Sequence, residues 1–167
     1  SNVTHIEMIV RGGEYQQLKH QIGYAHVLEH MLSFYTSKVY PNADTNKETL
    51  SKCGITGNAY TGHHVTGYWL LGLKKYTSDM LDLMLNTFIE PHIDISKFEN
   101  EKEAVKNELD RIINSTWYSL NCQIMKTIYN KTNISETTEY EKKNVEKMTL
   151  DDLYAMHERF YKLSNML

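Results

Sequence analysis

Apolar residues set the rhythm of this chain before any chemistry is visible. The opening segment NVTHIEMIVRGG is rich in β-branched and apolar residues and is predicted to form a strand ending at Gly12-Gly13. From residue 21 to 37 the spacing changes. Ile22, Ala25, Leu28, Leu32 and Tyr35 recur at helical intervals, which predicts an amphipathic helix. YPNADT turns the chain, and Thr45 with Glu48 predicts a capping box on a short helix that stops at Gly54. GITGNAYTG and VTGYWLLGL carry Thr, Tyr, Ile and Val punctuated by Gly, and read as an antiparallel pair of strands.

The second half reads as helix after helix. TSDMLDLMLNTFIEP is predicted to start at Thr77 or Ser78 and to bury Met80, Leu81, Met84, Leu85 and Phe88, with Pro91 beyond its end. DISKFENEKEAVKNELDRIIN opens on a Ser96–Glu99 capping box and shows an apolar stripe of Val105, Leu109 and Ile112. A further helix is predicted over 117–129, and the polar stretch YNKTNISETTEYEKKN reads as a loop. Thr149 to Asp152 caps a last helix, LDDLYAMHERFY, and SNML reads as the start of another strand. These helices over three strands predict an α+β fold, a mixed or antiparallel sheet packed against helices. So thin a sheet is expected to have further neighbours in a longer chain.

Composition changes this picture little. The chain has 167 residues, which suits one domain, with 41% apolar and 23% charged residues and a net charge of -3. No basic field invites nucleic acid, and no apolar run spans a membrane. No signal peptide is visible, and a cytoplasmic or mitochondrial setting is expected. Cys53 and Cys122 have no metal or redox spacing and read as two free thiols, with a single disulfide as the alternative. Asn2, Asn114, Asn130 and Asn133 each begin an Asn-x-Ser/Thr triplet of the kind chance supplies in a chain rich in these residues. Met31, Met80, Met84 and Tyr68 read as core, and Trp69 and Trp117 as core or interface anchors.

Chemistry enters in GYAHVLEHMLSF. Residues i, i+3 and i+4 share one helical face, so His26, Glu29 and His30 lie together on an otherwise apolar stripe. Ionisable groups there need partners to offset desolvation. Two imidazoles one turn apart suit a zinc ion, and an unligated carboxylate beside them is placed to take a proton from activated water. A catalytic zinc takes a third protein ligand from elsewhere. Glu101 and Glu108, seven residues apart on the partly apolar face that carries Ala104 and Val105, are the candidates. Glu99, Lys102 and Glu103 read instead as a solvated face.

His-x-x-Glu-His is the inverted zinc-protease signature, and the chain resembles the insulinase/pitrilysin family, which includes the mitochondrial processing peptidases. VRGGEY, GYAHVLEHML, GITGNAYTGHHVTGY, NEKEAVKNELDRI and MTLDDLYAMHERFYKLSNML resemble that family's segments in the family's order, over essentially the whole chain. The resemblance implies a zinc metalloendopeptidase. His26, His30 and Glu108 would be the Zn²⁺ ligands, Glu29 the general base, and Glu101 a carboxylate behind a ligand. Asn58, Ala59, Tyr60 and Thr61 would form the edge strand to which a peptide substrate adds as a further strand. His63 and His64, just beyond, read as loop residues. The family's working unit has two homologous halves. Residues 1–167 are therefore expected to be an N-terminal peptidase domain truncated at both ends. The second half would come from the same chain or a partner subunit. Two other readings are a non-catalytic, peptide-binding or scaffolding subunit of a processing complex, and a purely structural zinc site.

Overall fold

The computed structural model describes residues 2–167. Among them three strands form one antiparallel sheet in the order β1-β3-β2, with β1 at Val3–Val10, β2 at Thr56–Thr61 and β3 at Thr66–Leu73. Val3 faces Leu73 and Val10 faces Thr66 across β1 and β3, while Thr56 faces Leu71 and Thr61 faces Thr66 across β2 and β3. The apolar run of β3 follows from its central place, where Tyr68 and Leu70 are fully buried. β2 is an edge strand. Of the strand start expected at SNML only an isolated antiparallel bridge of Met166 to Val10 forms, with Leu167 and Ile9 exchanging backbone hydrogen bonds of 2.9 Å, because a 3-10 turn occupies Leu163–Asn165.

Seven α-helices surround the sheet among the described residues: α1 Tyr24–Leu32, α2 Ala43–Lys52, α3 Thr77–Ile89, α4 Phe98–Ile113, α5 Tyr118–Ile128, α6 Thr138–Lys147 and α7 Leu150–Phe160. The α+β class holds. α1 packs on β2, α4, α6 and α7 and so sits at the centre of the molecule. That explains its sequence, because Tyr24, Ala25, Val27, Leu28, Met31 and Leu32 are all buried.

Several sequence expectations change. The helix predicted over 21–37 is shorter, because a 3-10 turn occupies Lys19–Gln21 and Gly23 adopts a left-handed φ of 98° at the helix start. Gln17 caps it by accepting the Ala25 N–H at 3.2 Å, and Ser33 Oγ closes its far end on the Glu29 carbonyl at 2.7 Å. α2 is capped by Asn42, whose side chain accepts the Thr45 N–H, instead of by a Thr45–Glu48 box. α3 buries Met80, Leu83, Met84, Thr87 and Phe88, and leaves Leu81 and Leu85 exposed. Asp94, and not a Ser96–Glu99 box, caps the turn leading into α4. Ile112 is exposed, and Lys102 is buried with its ammonium donating to the Met148 carbonyl at 3.0 Å. Trp117 is 73% exposed, so it is no core residue. The segment read as a loop contains all but the last residues of α6. The core expected from Met31, Met80, Met84 and Tyr68 is present, and both cysteines are free thiols.

Candidate metal and peptidase site

α1 carries His26, Glu29 and His30 along one side, and α4 crosses it with Glu101 and Glu108 one heptad apart. The two imidazoles converge on one carboxylate. His26 Nε2 lies 3.5 Å from Glu108 Oε2, and His30 Nε2 lies 3.7 Å from Glu108 Oε1. Their rings are 5.0 Å apart and nearly perpendicular. The Nδ1 sides face other acids. His30 Nδ1 is 3.1 Å from Glu101 Oε2, and His26 Nδ1 is 3.8 Å from Glu141 Oε1. Glu108 alone reaches both Nε2 atoms, whereas Glu101 reaches one ring from behind.

One donor atom from each of His26, His30 and Glu108 lies within 4.8 Å of the other two. Donors at ordinary zinc–ligand lengths around a tetrahedral ion stand about 3.3 Å apart. Two imidazole nitrogens and a carboxylate oxygen are therefore a chemically suitable and nearly closed donor set. It lines a cleft of about 570 Å³ together with Glu29, Glu101, Ser33 and Phe34 from the helices and Asn58, Ala59, Tyr60 and Thr61 from β2. All nine residues singled out in the sequence thus meet in one cleft.

The electrostatics follow from burial and charge. Burial pushes the Glu29 carboxyl above its ordinary value, offset in part by His26, His30 and a hydrogen bond from Thr61 Oγ1 at 3.0 Å. Burial disfavours charge on His26, yet the surrounding Glu141, Glu29 and Glu108 together hold its pKa above the usual histidine value. Glu141 is the site neighbour that sequence reasoning missed. The signal was faint, since it lies on α6, whose inward positions include Glu141 and Asn144.

Strand alternation sorts β2. Ala59 and Thr61 are half-buried, while Asn58 and Tyr60 are exposed on the other side, where the Tyr60 hydroxyl donates to Glu7 at 2.9 Å. His63 and His64 lie in the β2–β3 turn as expected, with His63 Nδ1 2.7 Å from Glu14 and the Tyr15 ring stacked on His63.

An α+β frame that sets a His-x-x-Glu-His helix beside an edge strand and across from a glutamate helix has the layout of a peptidase. The chain belongs to the insulinase family (peptidase family M16), whose model matches residues 1–162. It is 33% identical over 102 residues to Protease 3 of Escherichia coli K12, across 61% of this chain and 10% of that protein. It is 26% identical over 156 residues to subunit 1 of the Bos taurus mitochondrial cytochrome b-c1 complex, across 93% of this chain and 32% of that subunit. Its fold matches a protease from Helicobacter pylori with a TM-score of 0.88 and 22% identity, over 99% of this chain and 40% of the other. The aligned part of the chain thus spans only a small share of Protease 3. No helix among the described residues is long and apolar enough to cross a membrane.

Proposed function

We propose that this chain is the metal-bearing part of a zinc metalloendopeptidase that hydrolyses extended or unfolded peptides. The observation that carries the reading is the convergence of both imidazole Nε2 atoms on Glu108, with Glu29 on the wall of the same cleft. His26, His30 and Glu108 would hold the zinc. Bound there, zinc supplies the Lewis acidity that lets water lose a proton near neutral pH and that polarises a peptide carbonyl.

The remaining work falls to side chains of this chain. Glu29 accepts the proton of the attacking water at its carboxylate and returns it to the departing amine. Burial, which raises its pKa, makes it a better acceptor for the first half of that exchange. Glu101 accepts from His30 Nδ1–H, fixing the tautomer that leaves Nε2 free as a ligand. The peptide backbone pairs along Asn58–Thr61 at the β2 edge, a contact that reads extended conformation and not side-chain sequence. A second homologous half, from the same polypeptide or a partner subunit, would close the cleft over the substrate.

The test is Glu29→Gln in the protein that carries the complete chain. Zinc content should be unchanged, while hydrolysis of a fluorogenic peptide falls about 10²–10⁴-fold. Undiminished turnover would remove Glu29 from its role. The match to a cytochrome b-c1 subunit over 93% of the chain supports a second reading, a non-catalytic peptide-binding subunit. Zinc bound by the wild type without hydrolysis, the second half being present, would favour it.

A further inference from the structure

We propose that Thr61 is a positioning residue that aims Glu29, so that one strand both registers the peptide and sets the base. The inference rests on the peptidase reading above. The Thr61 hydroxyl donates to Glu29 Oε2 at 3.0 Å, from an edge strand to a helix 32 residues earlier in the chain. A glutamate has three rotatable side-chain bonds, and pinning one oxygen restrains them while the other oxygen keeps its lone pairs as an acceptor.

The mount for that hydroxyl is stiff. Thr61 is the last residue of β2 and pairs with Thr66. The turn beyond it is closed by Gly62 N–H donating to the Val65 carbonyl at 2.9 Å. A second segment clamps the same turn, with Gly13 N–H donating to the His64 carbonyl at 3.3 Å, Glu14 to Gly62 at 3.1 Å and Tyr15 to His63 at 2.9 Å. A β-branched side chain adds its own χ1 restriction. Because Ala59 and Thr61 share one face of β2, a peptide paired to the β2 backbone is held in fixed register to the carboxylate that Thr61 holds. Substrate docking and base placement then share one rigid part.

The experiment compares Thr61→Val, which keeps the shape and loses the donor, with Thr61→Ser, which keeps the donor. Both are made in the zinc-loaded protein that carries the complete chain. Thr61→Val should lower kcat about tenfold with KM, zinc content and Tm nearly unchanged, and Thr61→Ser should recover most of the loss. Crystal structures of the zinc-free proteins give a readout independent of turnover: Glu29 should leave its wild-type rotamer in Thr61→Val and keep it in Thr61→Ser. Wild-type kcat in Thr61→Val, an equal loss in both variants, or an unmoved Glu29 in Thr61→Val would overturn the proposal. A wild type that binds zinc and cleaves nothing would count against the peptidase reading instead, and the rotamer comparison would still decide whether Thr61 holds Glu29.

Discussion

Gly13 has no room for a side chain. A Cβ there would lie 2.4 Å from the Gly62 carbonyl oxygen and 2.5 Å from the Val65 nitrogen, both of them backbone atoms of the β2–β3 turn. Gly13→Ala should therefore push the turn away, cost about 1–3 kcal/mol as overpacking does, and lower Tm by about 5 °C. Thermal unfolding of the variant checks this, and an unchanged Tm would mean that the turn yields freely. The Gly12-Gly13 pair was legible as a strand end, but the close approach that demands Gly13 involves residues some fifty positions away and left no local mark. The same limit divides the site. His26, Glu29 and His30 were readable from spacing alone, because three residues of one helix carry their geometry with them. Glu101 and Glu108 were equivalent by spacing. Only the crossing of α4 over α1 separates the carboxylate that meets both Nε2 atoms from the one behind His30.

At the scale of elements, the segment misread as a loop is the clearest lesson. α6 turns Glu141, Asn144 and Val145 inward. Two of the three are polar, so the apolar periodicity that betrays a helix is absent. Asn144 is satisfied by donating to the carbonyls of Lys19 and Ile22 at 3.1 and 3.2 Å, which ties α6 to the approach to α1. In α3 the error ran the other way: five apolar residues suggested the face, but only Met80, Met84 and Phe88 of them are buried. α3 and α7 are joined by a titratable contact. His157 Nε2–H donates to the Phe88 carbonyl at 2.9 Å, and the ring stacks on Tyr161 at 5.1 Å. Burial holds the His157 pKa below its ordinary 6.5, offset in part by that carbonyl. A depressed folded value means that the unfolded chain takes up the proton first. The stabilisation is thus complete above the ordinary value and is lost as pH falls through the folded one. His157→Gln should cost about 1 kcal/mol at pH 7.5, and its deficit against wild type should shrink toward pH 5. Urea melts at both pH values check this, and a deficit that grows on acidification would contradict it.

At the scale of the molecule, the proposed ion would add a tie between two helices distant in sequence that already share the core. α1 and α4 pack directly on one another through the shared core, where Val105 and Leu109 of α4 are buried, but on the cleft side of that crossing Glu108 is nearly half exposed. A zinc held by His26, His30 and Glu108 would therefore act as a cross-link between residues about eighty positions apart, and ligand linkage makes its effect measurable. Free zinc at a hundred times its Kd adds about 2.7 kcal/mol to the folded state, a rise in Tm of about 5–10 °C for a chain of this length. Saturating chelator should reverse it. The rise should vanish in His30→Ala and Glu108→Ala and persist in Glu29→Gln, because Glu29 lines the cleft without being one of the three converging donors. This pattern separates ligand from base by calorimetry alone, with no peptide and no turnover. If the shift survived in Glu108→Ala and disappeared in Glu101→Ala, the third ligand would be the other glutamate of α4 and the role of the cleft's carboxylates would have to be exchanged.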